Sequence, residues 1–287
     1  MTFTPWRSLG AGSGLTPATL AETLDGGQAF RWNQTETGSW RGLWLSRCVE
    51  LRLRGPKLQG RSPVAAPVPS EEMKRYLGLD GDHERACDTL PWRGDSVLAA
   101  AMQSFPGLRL LRQPLSETLF GFLLSSAKSI PQIKDACERA ASAFGEEIAP
   151  RAGLRALPTW ERLAEIPEAD LRACKFGYRA KYVSGTARFL AEKPDYLAQA
   201  EAAPYEEART MLMKLPGVGG KVADCALLFG AAKGEAFPVD TWIAKVMSER
   251  YGLNGWNLEQ IATFGRAHFG PHAGLAQQFL FSAARKG

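Results

Sequence analysis

A lysine and an aspartate in the C-terminal third of the chain have the residue types and surroundings that amine chemistry requires. Lys221 directly follows the segment LPGVGG (residues 215–220), which is too rich in proline and glycine to stay helical. Helical patterns lie on both sides of this segment, so Lys221 stands at the start of a helix. The positive end of the helix dipole favours the neutral amine, which is a nucleophile. Asp240 follows in the segment PVDT (residues 238–241), where it either caps the next helix or places a carboxylate near the amine.

The turn before Lys221 predicts a contact with phosphate. Glycines let the backbone approach another surface with no Cβ in the way, and the start of the following helix presents unpaired N–H groups. Such a helix start is a ready site for an anion. We therefore expect Gly217, Val218 and Gly219 to bind phosphate through their backbone amides.

The motif made by these residues resembles a known family. The string LPGVGxKxA followed by PVD is similar to that of the helix-hairpin-helix DNA glycosylases, and Lys221 and Asp240 match the catalytic lysine and aspartate of that superfamily. The resemblance implies that the phosphates bound by the turn belong to DNA. The alternative is a glycine-rich turn between two helices that carries a solvated lysine.

A second motif, GGQAFRW at residues 26–32, narrows the resemblance. In an N-terminal sheet domain this string is similar to that of the 8-oxoguanine DNA glycosylases of the eukaryotic type and their bacterial relatives. The resemblance implies that the Gly27 carbonyl receives the N7–H that 8-oxoguanine has and guanine lacks. It further implies that Gln277 reads the Watson–Crick edge of the base and that Cys225 and Phe281 sandwich its ring. The alternative is a strand entry with core aromatics, with Phe281 and Cys225 as ordinary buried residues.

The resemblance also assigns residues to the DNA duplex. Tyr178 and Arg179 match the residues that hold the helix open and contact the orphaned partner base, although an ordinary helix start with an exposed arginine is the alternative. Gln132 occupies the place of an arginine that reads the partner cytosine, and residues 127–129 are Ala-Lys-Ser where the family has three asparagines. We therefore predict relaxed selectivity for cytosine opposite the lesion.

Another departure from the family comes as a pair. Trp242 stands where the family often has a histidine, and Ala284 stands where it often has an aspartate. Losing both members of an ion pair is easier to tolerate than losing one, because neither charge is left unpaired. The assignment of Asp240 is therefore unaffected.

Composition favours an anionic partner and a reducing compartment. The 287 residues carry a net charge of +5 with a pI near 9.0, which mildly favours nucleic acid. The five cysteines have no C-x-x-C spacing, and none follows Cys225, so we expect no zinc site and no iron–sulfur cluster. Three scattered histidines predict no other metal centre, and we expect no cofactor. With no signal-like or membrane-spanning run, we expect an intracellular, DNA-associated monomer.

The pattern of hydrophobic residues predicts an α+β fold. Short alternating runs from Leu24 to Gly55 predict antiparallel strands, and residues 55–69 read as a linker or an irregular edge. Residues 71–90 and 95–105 read as helices, and from residue 113 onward the chain is almost wholly helical. We predict an N-terminal antiparallel sheet domain with helices over residues 1–114 and a helical helix-hairpin-helix domain over residues 115–287.

These features together predict an enzyme that excises 8-oxoguanine from duplex DNA through a lysine Schiff base and then nicks the strand. Three alternatives remain open on the sequence alone. They are a non-catalytic DNA-binding module, a glycosylase for another damaged purine such as an alkylpurine, and a lyase that acts only on abasic sites. The alkylpurine enzymes of this fold lack a lysine at the position of Lys221.

Overall fold

The N-terminal part of the chain forms an antiparallel sheet, as predicted, and the sheet has five strands. The computed structural model describes residues 2–11, 14–149 and 153–286, so the terminal residues of the two predicted domains lie outside the described part. The strands run in the order β1-β5-β4-β3-β2. Their bounds are β1 Arg7–Ala11, β2 Trp32–Gln34, β3 Trp40–Trp44, β4 Arg47–Arg54 and β5 Lys57–Arg61, with helix α1 (Pro17–Asp25) between β1 and β2.

The prediction of a linker over residues 55–69 was wrong for its first part, because β5 is an inner strand of the sheet. Gly55, at φ +57°, makes the tight turn from β4, and Leu58 is buried against the core. Gly60 also faces inward, where an added Cβ would lie 2.7 Å from the Met73 sulfur. A strand with a glycine at an inward position shows little hydrophobic alternation, so the pattern in the sequence is weak.

The helix predicted over residues 71–90 is two helices, α2 (Ser70–Tyr76) and α3 (His83–Thr89). Gly78 adopts φ +62° after α2 and ends it, since glycine takes this conformation without strain. The helix predicted over residues 95–105 is confirmed as α4 (Ser96–Ser104), with Asp95 as its N-cap.

The rest of the chain is mainly helical, with one short two-stranded ladder of β6 (Glu147–Ala149) and β7 (Leu154–Arg155). The helices are α5 Leu115–Leu123, α6 Ile130–Phe144, α7 Trp160–Glu165, α8 Glu168–Leu171, α9 Ala180–Glu192, α10 Tyr196–Ala202, α11 Tyr205–Met213, α12 Gly220–Gly230, α13 Thr241–Tyr251, α14 Leu258–Phe269 and α15 Ala273–Lys286. None of the helices in the described part of the chain is long and apolar enough to cross a membrane.

Three hydrophobic cores hold these elements together. One lies under the sheet, one lies among α5, α6, α9, α11 and α12, and one joins α4 to α13, α14 and α15. The third core combines residues before 114 with residues after 236, so packing does not follow chain order there. The boundary predicted at residue 114 stays a prediction.

Candidate active site

Lys221 is the second residue of α12, where the hairpin motif predicts it. Its Nζ donates a hydrogen bond of 2.9 Å to Ser125 Oγ and lies 5.1 Å from the centroid of the Phe122 ring. The Ser125 hydroxyl itself donates to the Phe122 carbonyl at 2.7 Å. Since the serine proton is used on that carbonyl, Lys221 must be the donor to Ser125. The lone pair of a neutral Lys221 amine is therefore not consumed by this contact.

Asp240 is the N-cap of α13, and its Oδ1 accepts a hydrogen bond of 2.9 Å from the Ile243 N–H. This satisfies one of the orphan donors of the helix start and holds the carboxylate in one orientation. Within the described residues, the other carboxylate oxygen makes no hydrogen bond. One carboxylate thus serves both as a cap and as a free acceptor.

One cavity of about 700 Å³ is lined by all six residues that we predicted for catalysis and base binding. Helix α12 contributes Lys221 and Cys225, the start of α13 contributes Asp240, and α15 contributes Gln277 and Phe281. Gly27 lines the same cavity from the N-terminal domain. The cavity is large enough to admit a purine, and apolar walls with a few polar groups are typical of a ligand site.

Gln277 presents an acceptor that lacks a partner. Its Nε2 donates to the Pro238 carbonyl at 3.1 Å, which fixes the orientation of the amide because a carbonyl can only accept. Its Oε1 is buried and has no partner within the described residues. An unpaired buried acceptor costs about 1–3 kcal/mol. The side chain must turn toward the cavity to offer this oxygen to a ligand, and pairing there would recover that cost.

Gly27 is held in place by its neighbour Gln28, whose role the sequence analysis missed. Gln28 is fully buried; its Nε2 donates to the Arg109 carbonyl at 2.8 Å, and its Oε1 accepts from the Leu111 N–H at 2.9 Å. The Gln28 carbonyl accepts from Gln113 Nε2 at 2.7 Å. Gly27 itself adopts φ +106°, and a Cβ there would stand 3.0 Å from Ile130 Cδ1. In the motif GGQAFRW, the only sign of this anchor is a glutamine between a pair of glycines and the aromatic residues.

Cys225 lies one helical turn after Lys221 and is buried. Burial raises the pKa of its thiol to about 12, so the side chain stays neutral at physiological pH. It therefore presents a small, uncharged surface to the cavity.

The three predicted phosphate ligands in the hairpin between α11 and α12 have different roles in the structure. Gly217 is exposed at φ +79°, and a Cβ there would lie 2.5 Å from Tyr182 Cγ. The Val218 N–H donates to the Leu215 carbonyl at 3.1 Å and its side chain is buried, so Val218 serves the turn itself. In the described residues, Gly217 and Gly219 keep backbone N–H groups without protein partners. These two amides remain the predicted phosphate donors.

The two residues predicted to hold the DNA helix open differ in exposure. Tyr178 is 49% exposed, whereas Arg179 is 5% exposed, so the alternative of an exposed arginine at a helix start is wrong. The Arg179 guanidinium carbon lies 4.2 Å from the centroid of the Tyr178 ring, a cation–π contact that orders the tyrosine. The Arg179 Nε has no hydrogen-bond partner among the described residues.

Gln132 lies on the first turn of α6, and its Oε1 accepts from the Ser129 N–H at 2.9 Å in a capping box. Nearby, Lys128 Nζ donates to the Lys175 carbonyl at 2.7 Å. Burial lowers the pKa of the Lys128 amine, and the charge of Arg179 adds to this effect. The family motif has asparagine amides and an arginine guanidinium in this region. This chain instead has a capping glutamine and a lysine.

The sequence analysis also missed Ser125 and Phe122 as contacts of Lys221. The pair Ser125-Ser126 is visible as a polar break after α5, but nothing local shows that its first hydroxyl meets α12. Trp242, the substitute for the family histidine, is 42% exposed and lines the cavity beside Asp240.

Comparisons with known proteins match this arrangement. A family model described as "8-oxoguanine DNA glycosylase, N-terminal domain" matches residues 14–119, and one described as "HhH-GPD superfamily base excision DNA repair protein" matches residues 120–265. The chain is 44% identical to the probable N-glycosylase/DNA lyase of Methanothermobacter thermautotrophicus over 117 residues, a match that covers 41% of this chain and only 37% of that protein.

Two further matches span most of the chain. It is 30% identical over 285 residues to the N-glycosylase/DNA lyase OGG1 of Arabidopsis thaliana, which covers 93% of this chain and 78% of that protein. The fold is similar to the crystal structure of the Clostridium acetobutylicum 8-oxoguanine glycosylase/lyase in complex with double-stranded DNA containing cytosine opposite 8-oxoguanine. That match has a TM-score of 0.87 and 30% identity, and covers 100% of this chain and 99% of the other. The chain belongs to the HhH-GPD superfamily of base excision DNA repair proteins and, within it, to the 8-oxoguanine DNA glycosylases.

Proposed function

We propose that this protein is a bifunctional DNA glycosylase and abasic-site lyase that removes 8-oxoguanine from duplex DNA, with Lys221 as its nucleophile. The observation that supports this most directly is a single cavity lined by an amine, a carboxylate and a glutamine side chain whose amide oxygen is unpaired, from Lys221, Asp240 and Gln277. The first two groups suit the chemistry at the sugar, and the third suits the edge of a base. A protein that only bound DNA would need none of them inside a cavity.

The target base must leave the duplex to reach this cavity, because the stacked helix hides both the sugar carbon and the base edge. In our proposal the amides of Gly217 and Gly219 hold the strand by its phosphates, which positions the enzyme without reading sequence. Tyr178, backed by Arg179, fills the space that the base leaves.

Recognition of 8-oxoguanine would depend on one hydrogen atom. The oxidised base carries a proton on N7, and the Gly27 carbonyl would accept it, whereas the lone pair of guanine N7 would face that carbonyl without a donor. A mismatch of this kind costs about 1–3 kcal/mol, or roughly ten- to hundredfold in discrimination. Gln277 would pair with the Watson–Crick edge, and the ring would lie between Cys225 and Phe281.

The reaction would proceed in two stages. The lone pair of the Lys221 amine forms a bond to the sugar C1′, while the glycosidic bond breaks and its electron pair leaves with the base, which takes up a proton. The Asp240 carboxylate stabilises the positive charge on the sugar. Opening of the sugar gives a Schiff base, and loss of a 2′ proton then expels the 3′ phosphate by β-elimination.

We also propose that the protein acts as a monomer without an iron–sulfur cluster and is associated with DNA in the cell. The five cysteines lie on separate elements, and burial raises the pKa of Cys48, Cys137 and Cys225 well above the usual range. Neutral, dispersed thiols are poor ligands for a cluster.

The proposal is tested with an end-labelled duplex that contains one 8-oxoguanine, with and without borohydride. We expect a covalent adduct and strand cleavage with the wild type, and neither on a guanine duplex. Lys221→Gln should lose both while still binding the duplex. A matched control is Lys193→Gln. Lys193 Nζ also lies over a phenylalanine ring, 4.3 Å from the centroid of Phe189, but Lys193 is outside the cavity.

Other outcomes identify the competing functions. Tight duplex binding without adduct or excision would indicate a DNA-binding module or another lesion. An adduct on an abasic duplex alone would indicate a lyase without base recognition. Cleavage by Lys221→Gln would show that the nucleophile lies elsewhere.

A further inference from the structure

A buried ion pair joins the ends of the first and last helices beside the cavity. The Glu22 carboxylate, on α1, is only 2% exposed. Its two oxygens accept hydrogen bonds of 2.9 and 3.1 Å from Arg285 Nη2, on α15. Lys286 Nζ lies 3.3 Å from the same carboxylate. Arg285 also lines the cavity, but the pair makes no hydrogen bond with Lys221, Asp240 or Gln277, all of which lie in the described part of the chain.

The location of Glu22 is unfavourable without its partners. It lies in the last turn of α1, where the helix dipole already supplies partial negative charge. Arg285 and Lys286 lie in the last turn of α15, where cations are favoured. Two helix C-termini therefore meet at one buried carboxylate. The cations of α15 compensate the carboxylate charge and the partial negative charge of the helix ends. Removing the cations would leave a buried charge with no compensation.

On its other side, Glu22 packs against the backbone that leads to the base-binding glycine. A Cβ on Gly26 would lie 2.5 Å from Glu22 Oε1 and 2.1 Å from the Glu22 carbonyl oxygen. Only a glycine fits beneath this carboxylate. Movement of Glu22 would therefore be transmitted directly to Gly26 and to Gly27 after it.

Arg285 likewise contacts the opposite wall of the cavity. It lies one helical turn after Phe281, and its guanidinium carbon is 5.6 Å from the centroid of the Phe281 ring. Phe281 Cε1 in turn lies 3.7 Å from the point where a Gly27 Cβ would stand. The ion pair thus contacts both walls beside the place where Gly27 and Phe281 face each other.

We propose that the Glu22–Arg285 pair is a positioning device that sets the spacing between Gly27 and Phe281 and so adapts the cavity to an oxidised purine. The inference rests on the proposed function. Glu22 does not line the cavity and acts through its two walls, and Arg285 holds Glu22 in place from the cavity edge. The pair is therefore needed for base excision and not for cleavage at an abasic site that has no base to hold.

Glu22→Gln tests this, because it keeps the shape of the side chain and removes its charge. We expect the single-turnover rate of 8-oxoguanine excision to fall by about tenfold or more, as small misplacements of a bound group do, while cleavage of a pre-formed abasic duplex changes by less than about twofold. The dissociation constant for the duplex should be unchanged.

Glu50→Gln is the matched control. Glu50, on β4, is also 2% exposed and also has two cationic partners, Arg41 at 2.7 Å and Arg61 at 2.5 Å, but it lies outside the cavity. The Glu50→Gln substitution should lower the melting temperature without changing the ratio of excision to abasic-site cleavage.

Arg285 variants test whether the two residues act as a pair. Arg285→Lys should retain most of the excision rate, whereas Arg285→Met should lose it because Glu22 then keeps only Lys286. Combining Glu22→Gln with Arg285→Met should cost less than the sum of the two, since the double variant has no buried carboxylate left to compensate.

Two results would overturn the inference. One is a Glu22→Gln variant that excises 8-oxoguanine at the wild-type rate. The other is a variant in which excision and abasic-site cleavage fall together, in step with the melting temperature, as for a merely structural ion pair. A wild-type protein that fails to release 8-oxoguanine would instead overturn the proposed function.

Discussion

Lys221 and Ser125 lie 96 residues apart in the chain, yet the lysine amine donates a hydrogen bond of 2.9 Å to the serine hydroxyl. Since the Ser125 hydroxyl donates its own hydrogen bond to the Phe122 carbonyl, the contact orients the amine without using its lone pair. Ser125 thus joins α12 to the end of α5 at the proposed nucleophile.

Ser125→Ala should reduce the rate of excision by about tenfold, which corresponds to ~1.4 kcal/mol, because the amine loses a fixed orientation. The covalent adduct should still form in borohydride, since the nucleophile remains. Single-turnover kinetics measure the effect. Ser116→Ala, within α5 but outside this cavity, is the control, and an equal loss in both variants would contradict a specific role for Ser125.

Substitutions of Asp240 should separate its role as a helix cap from its role as a negative charge near the sugar. Asparagine is as good an N-cap as aspartate, so Asp240→Asn should keep the melting temperature close to that of the wild type and lose excision, because it removes the negative charge near the sugar. Asp240→Ala should lose activity and also cost about 1 kcal/mol of stability. Thermal unfolding and excision assays on both variants measure this. An active Asp240→Asn variant would show that the carboxylate serves only as a cap.

The selectivity for the base opposite the lesion should be relaxed. Gln132 is engaged in the capping box with Ser129 and lacks the fork of an arginine, which would add about 1–3 kcal/mol of discrimination on a base edge. We expect excision opposite C, A, G and T to differ by less than roughly a hundredfold, and Gln132→Arg to increase the preference for cytosine. Duplexes that differ only in the opposite base measure this. A wild-type preference for cytosine above that limit would contradict the hypothesis.

The partly buried carboxyl of Glu117 should make stability depend on pH. Glu117 Oε1 accepts a hydrogen bond of 2.9 Å from the Leu45 N–H, and burial raises the pKa of the carboxyl from 4.5 to about 7. Because the folded-state pKa is the higher one, the unfolded chain ionises first as the pH rises. The contribution of this group is therefore fully present below about pH 4.5 and is lost as the pH rises to about 7.

Glu117→Gln removes this titration. Relative to the wild type, the variant should gain up to about 3 kcal/mol of unfolding free energy between pH 4.5 and pH 8. Denaturant unfolding at several pH values measures the difference. A difference between variant and wild type that does not change with pH would show that the carboxyl is not perturbed.

Much of the candidate site could be predicted from local sequence. The glycine-rich turn places Lys221 at a helix start, and the segment PVDT allows Asp240 to cap the next helix, because φ preferences, capping and dipoles act within a few residues. The alternating strands of the sheet were visible for the same reason. Where local signals were weak, as for β5 with its inward Gly60, or where a single glycine ended a helix, as at Gly78, the predictions failed.

Tertiary structure alone decided which distant groups meet. The Ser125–Lys221 contact, the Gln28 anchor beneath Gly27 and the ion pair of Glu22 with Arg285 each join residues more than 80 positions apart. No periodicity relates such residues, since their contact depends on how three cores bring the ends of α1, α5, α12 and α15 together. The sequence therefore determined which chemical groups the protein carries, and packing determined that an amine, a carboxylate and a glutamine with an unpaired amide oxygen line one cavity.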